Sequence, residues 1–130
     1  MRPHVSTQAG ELALILCALG RFAEADQLAN VSEETAAGED ALSQILWRRA
    51  RAAVLAHQGD LDRALALGRE AVALAESTDA LNVKGAAFMD LAEVLRLSGR
   101  GGEAIPVAER AVALFDRKGT SSRPSARVGR

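Results

Sequence analysis

Few side chains in this sequence could carry chemistry. His4 and His57 are its two histidines, and Cys17 is its single cysteine. No His-Glu-x-x-His or Cys-x-x-Cys spacing brings such residues together as zinc ligands. Cys17 has no evident base beside it, and a lone cysteine inside an apolar run is typical of a small core residue. We therefore predict that the protein is not an enzyme and holds no metal and no cofactor.

One glycine-rich segment could be taken for a phosphate-binding loop. Gly99, Arg100, Gly101 and Gly102 follow one another in the chain. The residues before them have the pattern of a helix rather than a strand, and the segment lacks the lysine that such loops place on the phosphates. We predict a turn between two helices at this point.

Charge and composition limit the classes of partner that the protein can bind. The formal net charge is -1, and among the 25% of charged residues both signs are interspersed along the chain. Such a surface has no net field that would attract nucleic acid or an anionic membrane. The apolar run at 12–19 is well short of the roughly 20 residues that span a bilayer. With one cysteine no internal disulfide can form, and we expect a cytoplasmic protein that binds neither nucleic acid nor membrane.

The elements that position these residues are predicted to be helices. Alanine has the highest intrinsic helix propensity and occurs 27 times, whereas the aromatic residues that strands favour make up only 3%. Apolar residues recur three and four positions apart, as on one face of a helix. This spacing is clearest at Leu61, Ala64, Leu65, Gly68, Ala71, Val72 and Ala75.

We predict six helices, near residues 7–19, 22–37, 40–57, 61–77, 80–97 and 103–117. Asp60 and Asp79 precede two of them and are expected to be their N-caps. We predict that the last helix starts only at Glu103. Pro106 then falls in its first turn, where a missing backbone N–H is tolerated.

Three segments of the chain repeat one another. Gly20, Gly59 and Gly99 are 39 and 40 residues apart, and the same spacing relates Ala25, Ala64 and Ala104, and also Leu16, Leu55 and Leu95. A glycine just past a helix can adopt the left-handed conformation that ends it. The alanine five positions later suits the contact between two helices of a hairpin, and the leucine four positions earlier is predicted to fill the hairpin core.

This pattern resembles the tetratricopeptide repeat. A small residue and a leucine precede Gly-Arg or Gly-Asp, then come Glu-Ala or Arg-Ala and a further alanine seven positions on, at Ala71 and Ala111. The period exceeds the usual 34 residues. Segments 74–79 and 114–119 are similar to long-repeat arrays at the C-termini of bacterial multidomain signalling proteins, both cyclase-like and transcription-regulator-like. The resemblance covers residues 8–119.

The resemblance implies an all-α fold, a short right-handed α-solenoid of three helix-turn-helix units. The repeat domain is expected to occupy residues 1–118, with units at about 7–37, 40–77 and 80–117. Residues 119–130 lack apolar periodicity and are predicted to be a flexible basic tail.

Function also follows from the resemblance. It implies a protein–protein interaction module that binds a peptide, a partner domain or a second copy of itself. The alternative is a regulatory or sensor fragment of a multidomain bacterial signalling enzyme or transcription regulator. In stacked repeats the first helix of each unit lines a concave groove. In the second and third units the corresponding positions are Leu46, Arg49, Ala53, His57, Met89, Glu93 and Arg96.

The first unit contributes Leu14, Cys17 and Ala18 to the same predicted groove. Repeats that clamp the C-terminal carboxylate of a chaperone peptide use a lysine and asparagines here. In this chain Ala53 and Glu93 stand at the asparagine positions, so such a clamp is not predicted.

Two further features concern packing. Trp47 is predicted to pack between units, and the cluster Arg48, Arg49 and Arg51 is predicted to be a solvated face whose stems lie on apolar neighbours.

The end of the array has an apolar set consisting of Ile105, Val107, Val112 and Leu114, of which part is expected to be exposed. Exposed apolar surface of this kind is usually covered by another chain or domain. We therefore expect a homodimer through an uncapped terminal helix, or excision from a longer protein.

Overall fold

The computed structural model describes residues 3–36 and 41–119, and this part of the chain forms six α-helices and no strand. The helices are α1 (Pro3–Ala18), α2 (Phe22–Thr35), α3 (Ala41–His57), α4 (Leu61–Glu76), α5 (Leu81–Leu97) and α6 (Gly101–Gly119). Helices α1 and α2, α3 and α4, and α5 and α6 pair as hairpins, and each hairpin packs on the next. The predicted all-α solenoid of three helix-turn-helix units is confirmed.

The turn inside each hairpin repeats the same geometry. Gly20, Gly59 and Gly99 have φ angles of 80°, 88° and 77°, in the left-handed region that only glycine enters without strain. In each turn the residue after the glycine donates its N–H to the carbonyl of the leucine four positions before the glycine, at 2.8 to 2.9 Å. This bond satisfies a carbonyl that the helix end would otherwise leave free. The three glycines therefore end α1, α3 and α5 as the sequence predicts.

The repeated apolar positions form the core. The alanines Ala25 and Ala64 are fully buried and Ala104 is nearly so, and the three repeated leucines are also buried. Alanine at these positions lets the two helices of a hairpin approach closely. Both sets lie where the repeat pattern predicts them.

Close approach between units is clearest where α1 meets α3. A Cβ atom added to Gly10 would lie 2.7 Å from the Cβ of Leu46 and 3.1 Å from the Oγ of Ser32. Real Cβ atoms do not come so near a neighbour, so Gly10 allows the two helices to touch. Leu46, which the sequence assigns to the groove, is buried in this contact.

Two buried serines join α1 to α2. Ser6 Oγ donates to the Ser32 carbonyl at 2.6 Å, and Ser32 Oγ donates to the Ser6 carbonyl at 2.9 Å. Both hydroxyls are buried and satisfied, as buried polar groups generally are. The pair fixes the register of the first hairpin.

The helix starts differ from the prediction most in α1, which begins at Pro3 rather than near residue 7. Helix α6 begins at Gly101 rather than Glu103, so Pro106 lies in its second turn. Helix α5 begins at Leu81, and its N-cap is Ala80, which has no side-chain cap. The expected cap by Asp79 is therefore wrong; instead Thr78 Oγ1 accepts from the Ala80 N–H at 3.3 Å. Asp60 does cap α4, accepting from the Arg63 N–H at 3.5 Å.

The predicted basic tail at 119–130 lies outside the described residues, apart from Gly119, where α6 ends. Within the described ranges, no helix combines the length and the apolar character needed to cross a bilayer.

Candidate functional site: a cavity between the first helices of the units

A cavity of about 500 Å³ opens between α1, α3 and α5, the first helices of the three units. This is the side on which stacked helical repeats present their binding groove. Its lining residues are Leu14, Cys17, Ala18, Phe22, Arg49, Ala52, Ala53, Ala56, His57, Gly68, Ala71, Ala87, Asp90, Glu93, Val94 and Leu97. We call this space the central cavity.

Small side chains create the central cavity. Six of its lining residues are alanines, and Gly68 has no side chain. Helix α5 also packs less extensively on α3 than α1 does. Because methyl groups cannot fill the gap between the two helices, an apolar space remains that reaches down to Gly68 and Ala71 on α4.

One ion pair crosses the cavity. Arg49 on α3 donates through Nε to Asp90 Oδ2 on α5 at 2.5 Å, and these side chains are 16% and 36% exposed. Burial raises the pKa of Asp90 above its ordinary value, and the nearby Arg49 opposes this effect in part. The cavity thus contains a carboxylate that is costly to keep charged.

A second carboxylate lies at the rim. Glu93 receives two hydrogen bonds from Arg96, at 3.0 and 2.7 Å. The bonds from Arg96 lower the pKa of Glu93, so this group stays ionised. Arg96 balances the charge of Glu93 from outside the lining of the central cavity, and both side chains of this pair are more than half exposed.

Cys17 contributes a thiol to the cavity wall. Its Sγ donates weakly to the carbonyl of Ala50 at 3.7 Å. Burial raises the pKa of the Cys17 thiol to about 11, and the charges of Asp90 and Asp26 add to the effect. A cysteine nucleophile needs a lowered pKa, so Cys17 serves as part of the wall rather than as a reactive group.

Two stacked rings, of Phe22 and His57, line one end of the cavity. The rings of Phe22 and His57 lie 3.9 Å apart between centroids, with an interplanar angle of 11°. Helix α2 begins at Phe22 and α3 ends at His57. The stack therefore connects the turn ends of the first two hairpins. The repeat pattern places His57 in the groove, but nothing in the sequence indicates Phe22.

A second cavity, of about 390 Å³, lies between α5 and α6. Its lining residues are Met89, Ala92, Glu93, Arg96, Gly101, Ala104, Ile105 and Ala108. We call it the terminal cavity, because α5 and α6 form the last hairpin of the described chain.

The seven residues that the sequence assigns to one groove are distributed over three places. Arg49, Ala53 and His57 line the central cavity, Met89 and Arg96 line the terminal cavity, and Glu93 belongs to both. Leu46 lines neither cavity and packs against Gly10 instead. The expected contributions of Leu14, Cys17 and Ala18 all face the central cavity.

The basic cluster on α3 connects helices. Arg48 binds Glu70 on α4 at 3.0 Å, Arg49 binds Asp90 on α5, and Arg51 lies 3.2 Å from Glu33 on α2. The three side chains are only 16 to 21% exposed. Their charges are therefore directed at neighbouring helices, where the sequence suggests a solvated face.

Trp47 lies beneath this cluster. It is buried, its Nε1 donates to Gln44 Oε1 at 3.0 Å, and the guanidinium of Arg48 lies 4.4 Å from the ring centroid. Cation–π contact of this kind holds the arginine against α3.

Among the described residues, no cluster of three or more His, Cys, Asp or Glu side chains could hold a metal ion.

The profile of the tetratricopeptide repeat family matches residues 43–117. The chain belongs to this family. No curated protein and no solved structure matches the chain. The matched range covers α3 to α6, and the first hairpin joins the series through its shared turn geometry and its buried Leu16 and Ala25. Tetratricopeptide repeats generally mediate protein–protein interactions and are typically non-catalytic modules.

Proposed function

We propose that this protein is a non-catalytic, cytoplasmic binding module whose central cavity holds a peptide segment of a partner protein. The observation that supports this most directly is the cavity itself. Its volume of about 500 Å³ lies within the range of roughly 300–1,000 Å³ that ligand sites have. Its position between the first helices of the units is the position that the family uses for binding.

The lining indicates the chemistry of the peptide. Apolar side chains, above all alanines, form most of the wall. An apolar side chain of the peptide would therefore displace water from it with a gain of about 25 cal/mol per Å² of buried apolar surface. Glu93 and Arg96 form an exposed ion pair, and such pairs are weak, so a cation of the peptide can replace Arg96 beside Glu93. We therefore propose a peptide in which a large apolar residue has a lysine or arginine nearby. The net charge of -1 and the paired arginines of α3 argue against nucleic acid as the partner.

Selection from a random-peptide display library tests the proposal. Peptides enriched on the wild-type protein should carry the apolar and basic residues, and they should bind an Ala53→Trp variant at least about 10-fold more weakly, a loss of about 1.4 kcal/mol. Ala53 lines the cavity and is half-buried, so the indole would occupy the peptide's place. Ala73→Trp, on the exposed side of α4, is the matched control and should bind as the wild type does.

Two outcomes would exclude the central cavity as the binding site. One is the absence of any enriched peptide, and the other is equal binding to the Ala53→Trp and wild-type proteins. If binding depends neither on salt nor on the Glu93→Gln substitution, the proposed basic residue is wrong and the apolar anchor remains.

The alternative is that these repeats regulate or sense within a multidomain bacterial signalling enzyme or transcription regulator. A sensor of a polar small molecule needs polar groups converging on its ligand. The central cavity has its carboxylates engaged by arginines and a wall that is mainly apolar, which favours the peptide.

A further inference from the structure

The two ends of the described helical array carry exposed apolar side chains. On α6, Ile105 is 61% and Val112 is 54% exposed; on α1, Leu12 is 45% and Ile15 is 55% exposed. Large apolar side chains that are exposed as a group usually mark a contact surface. The repeat register shows what each of these surfaces corresponds to inside the molecule.

The α6 surface is equivalent to a surface that is covered one unit earlier. Forty residues before Ile105, Ala108 and Val112 stand Leu65, Gly68 and Val72 on α4. Leu65 is buried in one apolar cluster with Leu91 and Val94 of α5, and Val72 packs against the same cluster. A Cβ on Gly68 would lie 3.4 Å from Leu91 Cδ1. The third unit thus presents on α6 the kind of surface that the second unit uses to hold α5.

The terminal cavity is the equivalent of the groove that α5 fills. Forty residues before its lining residues Ala92, Ala104 and Ile105 stand Ala52, Ala64 and Leu65, all buried where α5 lies on the second unit. In the third unit the same groove is open. A helix resembling α5 in its apolar face would fit it.

Helix α1 has that face. By the turn glycines, Leu12 and Ile15 correspond to Leu91 and Val94 of α5, which are buried against α4. On α1 the two residues are exposed, since no unit precedes them in the described chain. The first helix therefore carries the apolar residues that the open groove at the other end would receive.

At each junction between units, one residue on the second helix of a unit meets one residue on the first helix of the next unit. The two residues agree in chemical character. Between the first and second units the pair is Asp26 and Arg51, 3.4 Å apart as an ion pair. Between the second and third units it is Leu65 and Leu91, which are both apolar and buried together. At the open ends the corresponding residues are Ile105 and Leu12, again both apolar. The exposed residues at the two ends of the array are therefore both apolar, as the buried pair Leu65 and Leu91 is.

We propose that α1 of a second copy of this chain docks into the terminal cavity and on the exposed face of α6, continuing the helical stack head to tail. Ile105 would contact the second copy's Leu12 and Ile15, as Leu65 contacts Leu91 and Val94. Because the contact joins different surfaces, each added copy leaves its own α6 open. Such an interface produces growing chains or a closed ring rather than a simple two-fold dimer.

The test uses the absolute mass by light scattering across a dilution series. The wild-type protein should gain mass with concentration beyond the mass of two chains. Ile105→Glu and Ile15→Glu place charges at exposed positions on the two surfaces, so circular dichroism should show that both variants fold. Each variant alone should be a monomer. Mixed in equal amounts they should form a complex of two chains and no larger species, because one intact α6 face and one intact α1 face remain.

Three results would overturn the proposal. The first is a wild-type protein that is monomeric at every concentration, which would leave the α6 face to a different partner. The second is association of either variant alone, which would show a like-with-like contact. The third is a mixture of the two variants that stays monomeric. Ala73→Glu, on the exposed side of α4 and outside both cavities, is the matched control and should associate as the wild type does.

Discussion

At the scale of single residues, Cys17 shows how a cavity wall affects a titrating group. The pKa of its thiol is raised to about 11 from 9.0, first by burial and then by the charges of Asp90 and Asp26. Folding therefore favours the neutral thiol, and this contribution to stability is complete below pH 9 and lost as the pH rises towards 11. We expect the free energy of unfolding, measured with urea, to fall by about 1–2 kcal/mol over that range. A full shift would give roughly 2.7 kcal/mol, but the thiol is partly solvated.

A Cys17→Ala variant is the control for this pH effect. The chain has no tyrosine, and the lysines and the amino terminus are common to both proteins. The difference between the two stability profiles therefore isolates the thiol. Parallel profiles from pH 8 to 11 would show that the Cys17 thiol titrates alike in the folded and unfolded states.

Gly10 carries a second residue-scale prediction. A Cβ at this position would meet the Cβ of Leu46 at 2.7 Å, and a Cβ atom cannot move away without its backbone. Gly10→Ala should therefore separate α1 from α3 and lower the free energy of unfolding by roughly 2–3 kcal/mol, measured by urea denaturation. This loss exceeds the gain of up to about 1 kcal/mol that alanine brings to a helix.

Gly102→Ala is the matched control, because a Cβ added at Gly102 has no atom within 4 Å. It should stabilise α6 by about 0.5–1 kcal/mol. A stabilising Gly10→Ala variant would contradict the close contact of α1 and α3.

At the scale of helices, Pro106 tests where α6 begins. With the helix starting at Gly101, Pro106 lies in the second turn and provides no N–H for the Gly102 carbonyl. Pro106→Ala should restore this bond and raise the free energy of unfolding by about 1–3 kcal/mol. Urea denaturation at high dilution measures the change without self-association. An unchanged stability would instead support the later start, with the proline in the first turn.

The sequence predicts these helices where the signals are local. Turn glycines and apolar spacing of three and four residues depend on neighbouring positions alone, so the six helices and the buried leucines and alanines are found correctly. The N-cap of α5 is predicted wrongly because a cap depends on which side chain reaches the free N–H. Thr78 reaches the Ala80 N–H, although Asp79 is the stronger N-cap residue by type.

The candidate site is predicted only in part, for the same reason. Repeat register identifies Arg49, Ala53 and His57, since each lies on the groove side of α3. The cavity floor at Gly68 and Ala71 depends on how far α5 stands from α3, and no local pattern records that distance. The pairing of the α3 arginines with three other helices likewise needs the tertiary structure.

At the scale of the whole molecule, the protein is a short linear stack, and its helices differ in how many neighbours they pack on. Helix α3 packs on α1, α2, α4 and α5, whereas α1 packs on α2 and α3. In such arrays stability is set by each unit and its contacts with adjacent units. Amide hydrogen exchange at high dilution should therefore be slowest in α3 and fastest in α1 and α6. Equal protection in all six helices would indicate a single cooperative unit instead.

The same measurement at high concentration examines head-to-tail stacking at the level of helices. Docking of α1 into the terminal cavity of another copy would give both terminal helices the neighbours that α5 and α4 already have. Exchange should then slow in α1, α5 and α6, while α3 and α4, which are already covered on both sides, should change little. The Ile105→Glu variant should show no such slowing. If exchange slowed in α6 but not in α1, the second surface would be α6 itself, and the stack would end at two copies.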